Sequence, residues 1–282
     1  MIKYDVFMAG QTKEKIAITI DEKLLSRVDK MIDGETIRNR SHAIEYLVTQ
    51  SLRPKVKKAL ICAGETIMQK GVFIPAALLP FEEKRVIVHQ IELLKSVGIK
   101  QVAVLAPDET TIQDVLGDGS AYGVSVEYIK QDAKAIGSGH AVLLAKKFFR
   151  NEDIFLVLYG DVFAQIDVTD FVEYHIDSDS VATVALTSIE DPSLYGVVSL
   201  KGEKIVAFKE KPTNKEGVSR VINAGVFCLE QEIFSYLGKD IADTLETNAF
   251  PKLAKEGKLG GYVFEGKWCN VRNQLCYSSQ KK

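Results

Sequence analysis

No stretch of the chain approaches the ~20 consecutive apolar residues that a membrane-spanning helix needs, so no such helix is expected. Cysteine is scarce: Cys62, Cys228, Cys269 and Cys276 are the only four. None forms a Cys-x-x-Cys pair and no histidine stands at zinc-ligand spacing from them, which argues against a zinc module. Free thiols in a reducing compartment are the expectation. Histidine is equally sparse, and no serine, histidine and aspartate follow one another in an order suggesting a hydrolase. The start, Met1-Ile2-Lys3-Tyr4-Asp5, lacks the apolar run of a signal peptide, so a cytoplasmic location is expected. Internal repeats and low-complexity segments are missing too. Net charge is only −2, which by itself favours no polyanionic partner.

What is present is unevenly distributed. Residues 1–58 hold twelve Lys and Arg against eight Asp and Glu, and the remainder holds twenty-four against thirty. The basic balance therefore sits at the front. There Ile16, Ile18 and Ile20 alternate with Lys15, Ala17 and Thr19, the period of a half-buried strand. Asp21 stands at a helix N-cap, and Leu24, Leu25, Val28, Met31 and Ile32 follow at helical spacing, with Gly34 as C-cap. Ser41 is the expected cap of a second helix carrying Ile44, Leu47, Val48 and Leu52. So small a unit cannot bury a core alone and must pair with another copy.

This order of strand, helix, turn and helix resembles the ribbon-helix-helix DNA-binding domain of the MetJ/Arc kind. The resemblance implies a dimer whose two-stranded ribbon lies in the major groove of double-stranded DNA. Lys13, Lys15, Ala17 and Thr19 would face bases at palindromic half-sites, and Arg40, Ser41 and His42 would hold a phosphate. The expected division is an arm at 1–12, the ribbon-helix-helix domain at 13–53, a linker at 54–57 in which Pro54 has ended the helix, and a large domain at 58–282.

From Lys58 onward strands and helices alternate. Ala59–Gly64, Gln101–Ala106, Val124–Ile129 and Ile154–Tyr159 read as buried strands, with helices near 86–97, 112–116 and 141–149 between them. The expected fold is α/β, a doubly wound, mostly parallel mixed sheet. Its ligands would bind beyond the carboxyl ends of the strands, near Gly64 and Asp161. A second block of strands follows Ile176. His140 reads as a surface or ligand-lining residue, and His175 as a cation suiting a helix end.

Several motifs in order resemble the sugar nucleotidylyltransferases: Ala59–Gly64, Pro75–Pro80, Gln131, Gly137-Ser138-Gly139, Gly160-Asp161, Tyr195-Gly196, Glu210-Lys211-Pro212 and Asn223-Ala224-Gly225. The resemblance implies a nucleotide-diphospho-sugar transferase fold. It implies ligand binding by Gln131, Gly137, Asp161, Tyr195, Gly196, Glu210, Lys211 and Asn223, with Asp161 as a metal ligand. Three departures fall on the phosphate side. Glu65 follows Gly64 with no arginine in the loop, Ala76 replaces a lysine, and Asn270 replaces a second aspartate.

The expectation is therefore a DNA-binding transcriptional regulator, homodimeric or larger. Its large domain would be a non-catalytic relative of these enzymes that senses a nucleotide sugar, with no certain cofactor. Two alternatives accompany it. One is a magnesium-dependent sugar-phosphate nucleotidylyltransferase with a drifted active site. The other is a DNA-bound assembly module without ligand.

Overall fold

The computed structural model describes residues 14–52, 55–107, 110–132, 137–212 and 219–273. The chain divides into two compact units, Met1–Arg53 and Pro54–Lys282.

In the first unit, helix Glu22–Asp29 begins where Asp21 Oδ1 accepts the N–H groups of Lys23 at 2.9 Å and Leu24 at 3.3 Å. It ends earlier than its apolar spacing suggests, and Gly34, at φ 78°, turns the chain farther on. The second helix is Arg40–Leu52. Its cap is Asn39 rather than Ser41, because Asn39 Oδ1 accepts the His42 N–H at 2.9 Å. Among the unit's described residues, Val28, Ile37 and Ala43 form a buried apolar cluster. Residues 14–20 form no strand in the single chain. The expected ribbon is a ladder between two chains, so one chain has no partner edge with which to make it. Lys13, the arm at 1–12 and Pro54 lie outside the described residues.

The second unit is built on a nine-stranded sheet. Its order is Ala182–Ser188, Leu259–Val263, Lys204–Glu210, Gly196–Lys201, Val221–Glu230, Ile154–Tyr159, Lys58–Cys62, Gln101–Ala106, Ser125–Lys130. The last four run parallel, as strand-helix-strand crossovers require. Beyond them pairing is antiparallel, apart from Ala182–Ser188 with Leu259–Val263. The hairpin-rich second half of the chain thus makes the other side of the same sheet. Strand Lys58–Cys62 is apolar on both faces because each face is covered: Ala59 and Ile61 join one core, Leu60 the other.

Helix Val168–Asp177 is capped by Asp167. On it His175 is buried against Thr183 Oγ1 at 2.7 Å, so it is no surface cation at a helix end. Burial, and then Lys204, pull its pKa down to about 4. Cys62 and Cys228 are free thiols, but Cys269 is disulfide-bonded, against the expectation of free thiols throughout.

Candidate active site

Two parallel strands end side by side at Cys62 and Tyr159. The chain leaves them through Ala63-Gly64 and Gly160-Asp161. A Cβ on Gly160 would sit 2.9 Å from Ala63 Cα, so only glycine lets the two exits approach so closely. Gln90, on helix Val86–Ser96, braces the second exit. Its Nε2 donates to Tyr159 O and to Val162 O, each at 2.8 Å. Asp161 is thereby fixed at the floor of a cleft of about 1030 Å³.

All eight residues expected to bind ligand line this cleft: Gln131, Gly137, Asp161, Tyr195, Gly196, Glu210, Lys211 and Asn223. They come from distant parts of the chain: most lie at or just past a strand end, Asn223 within strand Val221–Glu230, and Gly137 at the N-cap of helix Ser138–Leu144. Gly137 packs where a Cβ would be 2.1 Å from Asp243 O. Lys211, at φ 42°, donates its N–H to Tyr195 O at 3.1 Å, which joins the two sugar-side motifs. The Tyr195 ring meets Trp268 edge-on at 5.2 Å.

Behind Asn223 stands a carboxylate that no motif signalled. Glu246 is buried, and accepts from Ser138 Oγ at 2.8 Å, from Asn223 Nδ2 at 3.3 Å and from the Tyr159 hydroxyl. Burial and then Glu246 push the Tyr159 pKa well above the ordinary tyrosine range. Burial and then Glu246 also raise the pKa of Glu210, against the lowering influence of Lys211. Cys62, another lining residue, is pushed up to about 12 by burial and by Glu246 and Asp161. It is a protonated wall and no nucleophile.

The phosphate side differs from the glycine-rich loop that the resemblance implies. Thr66–Gln69 and Val72–Pro75 form an antiparallel hairpin. Lys70 and Gly71, at φ 50° and 80°, make its tight turn. The pairing Met68 with Phe73 leaves both side chains exposed, and Phe73 reaches the cleft wall. Ala76, in the short 3-10 turn Ala76–Leu78, is fully buried.

Asp161 Oδ2 is bonded to Arg272 Nε at 2.7 Å and to Asn270 Nδ2 at 3.0 Å. Asn270 Oδ1 accepts the Arg272 N–H at 3.0 Å. Arg272 Nη1 reaches Glu65 Oε2 at 2.7 Å. As they stand these residues do not fit a resident divalent metal. The Asp161 oxygen is held by a guanidinium, Asn270 turns its N–H to that carboxylate, and no three His, Cys, Asp or Glu converge among the described residues. Arg272, Glu246 and Gln90 had no assigned role in the sequence reading. Only Arg272, two residues past Asn270, offered a positional hint.

The DNA contacts fare differently. Lys15, Ala17 and Thr19 are exposed but lie on no strand. Arg40 is committed to Asp29 through Nε at 2.6 Å and Nη2 at 2.8 Å, and the backbone N–H of His42 is taken by Asn39. No helix among the described residues is long and apolar enough to cross a membrane.

The family model described as nucleotidyl transferase matches residues 73–274. The bifunctional protein GlmU of Methanococcus maripaludis is 32% identical over 220 residues, covering 75% of this chain and 50% of that protein. A mannose-1-phosphate guanyltransferase of Yarrowia lipolytica is 31% identical over 214 residues, covering 74% and 58%. A Bacillus anthracis structure, described as a candidate glucose-1-phosphate thymidylyltransferase in complex with a sucrose, superposes with a TM-score of 0.70. It is 27% identical over 80% of this chain and 95% of that one. The fold is thus the nucleotide-diphospho-sugar transferase fold. The chain spans about half the length of the curated relatives it matches.

These matches correct two expectations. The relatives include a mannose-1-phosphate guanyltransferase and a candidate glucose-1-phosphate thymidylyltransferase, so the reading as a DNA-binding transcriptional regulator through Lys13, Lys15, Ala17, Thr19, Arg40, Ser41 and His42 is withdrawn. The reading of the large domain as non-catalytic is withdrawn with it.

Proposed function

The chain belongs to the nucleotidyl transferase family, and we propose that its large domain transfers a nucleotidyl group from a nucleoside triphosphate to a sugar phosphate. An oxygen of the sugar phosphate attacks the α-phosphorus, the bond to the bridging oxygen breaks, and pyrophosphate leaves. The observation that carries this reading is the gathering of Asp161 and the sugar-side residues on one cleft at the carboxyl ends of parallel strands.

In this reading Gln131 and Gly137 hold the nucleotide's base. Tyr195, Gly196, Glu210 and Asn223 bind the sugar, with carboxylate and amide groups suited to hydroxyls. Lys211 supplies a positive charge beside them. Magnesium enters only as part of the substrate, on the nucleotide's phosphates; Asp161 acts by holding the Arg272 guanidinium beside them. Charge builds up at the α-phosphate during the transfer, and fixed cations offset it. The cleft has few, since Ala76 is buried and Glu65 lies on the phosphate side. Turnover is therefore expected to be slow.

The finer reading of residues 13–53 as a ribbon-helix-helix dimerisation unit belongs to the same proposal. Ile16, Ile18, Leu24, Leu47 and Val48 stand exposed, and a second copy would cover them. A cytoplasmic location accords with nucleoside triphosphate substrates.

The test is pyrophosphate release by the full chain, over a panel of nucleoside triphosphates and sugar 1-phosphates. One pair is expected to give release and a nucleotide sugar. Asp161→Ala is expected to lower the rate by roughly two to three orders of magnitude. Absence of release for every pair at high enzyme concentration sinks the proposal.

A further inference from the structure

Any substrate of this cleft carries phosphate, yet the cleft is short of positive charge. Among its described lining residues the carboxylates are Glu65, Asp161, Glu210 and Glu246, and the cations are Lys211 and Arg272. Lys211 lies 3.7 Å from Glu210, on the sugar side. Arg272 is then the cation of the phosphate side.

Its two ion pairs are unequal. The Asp161 side chain is 4% exposed and receives both Arg272 Nε and Asn270 Nδ2 on one oxygen. Stripping Arg272 from it would leave a buried carboxylate short of its partner, which is expensive. The Glu65 side chain is 52% exposed. A pair so open to water contributes little to stability and exchanges readily. The Glu65 backbone is meanwhile tied, its carbonyl accepting the Ala76 N–H at 2.8 Å, so the side chain alone has to swing away. The buried pair therefore aims the guanidinium and the exposed pair fills it. A guanidinium has N–H donors to spare beyond these two bonds, in the planar fork that matches a phosphate.

We propose that Arg272 is the phosphate-binding residue of the cleft, and that Glu65 is an internal anion which occupies it until a substrate phosphate displaces it. This rests on the reading of the cleft as a site for phosphorylated substrates. It goes further in assigning the cation and in making empty-cleft Glu65 a competitor of the ligand.

The experiment is calorimetric titration of the full chain with sodium pyrophosphate, without divalent metal, for wild type, Glu65→Gln, Arg272→Gln and the double variant. Removing the competing carboxylate is expected to tighten binding by about tenfold, and removing the guanidinium to weaken it by at least about tenfold. The double variant is expected to bind as weakly as Arg272→Gln, because Glu65 acts only through Arg272. Arg272→Lys, which keeps the charge without the fork, is expected to fall between wild type and Arg272→Gln. Thermal melts of each variant identify any that fails to fold. Glu65→Gln, at an exposed position, supplies a second arm if Arg272→Gln does. Three outcomes overturn the proposal: Arg272→Gln binding as wild type does, the Glu65→Gln gain surviving in the double variant, or no binding even by Glu65→Gln. Binding that depends on Arg272 without any turnover would sink the transferase reading alone.

Discussion

Gln90→Met removes the brace under Asp161 while nearly preserving side-chain volume. Gln90 is 4% exposed, and its amide nitrogen serves one buried carbonyl, Val162 O, and one partly buried, Tyr159 O. Leaving a buried acceptor without its donor costs about 1–3 kcal/mol. Against the two losses stands one gain, since Gln90 Oε1 is buried without a hydrogen-bond partner and the substitution deletes it. The net is a destabilisation of about 1–3 kcal/mol, or a fall in melting temperature of roughly 5 °C for a domain of this size. Trp268, the chain's single tryptophan, belongs to the same domain and reports on it through fluorescence during urea unfolding. The two carbonyls bracket Gly160-Asp161, so kcat is expected to fall more than KM changes. An unchanged unfolding midpoint together with unchanged kcat would refute the assignment of Gln90 as the support of the Asp161 turn.

Two further outcomes follow from other parts of the molecule. His175 has a folded pKa lowered to about 4 from an ordinary value near 6.5. Its contribution to stability is thus complete above the unfolded value and is lost as pH falls from there through the folded one, in total about 3 kcal/mol. Urea midpoints between pH 7.5 and pH 4 are expected to show this loss, and His175→Asn to flatten it; an equal slope in the variant would contradict the assignment. Ile18 is 54% exposed in the single chain, so Ile18→Asp is expected to shift the full chain from dimer to monomer in sedimentation, and a monomeric wild type would remove the dimerisation reading.

The large domain was legible because its signals are local. Runs such as Ala59–Cys62 and Ile154–Leu158 are apolar throughout, as strands covered on both faces must be. The cleft residues were legible because Gly160-Asp161, Glu210-Lys211 and Asn223 stand in motifs that resemble those of the sugar nucleotidylyltransferases, and Asp161 also follows the carboxyl end of a strand. What escaped depends on contacts between distant residues. Glu246 meets Ser138, Tyr159 and Asn223 from more than twenty positions away in each case. Arg272 meets Glu65 across 207 positions. The hairpin after Gly64 has a local mark, the Lys70-Gly71 turn, at a place where the family resemblance implies a phosphate loop instead. His175 was misjudged because helix position alone does not reveal that its face packs on the sheet. The withdrawn DNA-binding reading of the first unit rested on less. Its pattern of alternating and helical spacing is short, and the family match begins only at residue 73.

The central claim is that this cleft forms a nucleotide sugar. Its most direct test is a single-turnover reaction with enzyme in excess over α-labelled nucleoside triphosphate, in the presence of magnesium and a sugar 1-phosphate, quenched over seconds to hours. The label is expected to move into a nucleoside diphosphate sugar for at least one pair, slowly in the wild type and roughly two to three orders of magnitude more slowly in Asp161→Ala. Label that stays in the triphosphate for every pair, with enzyme in excess throughout, would contradict it.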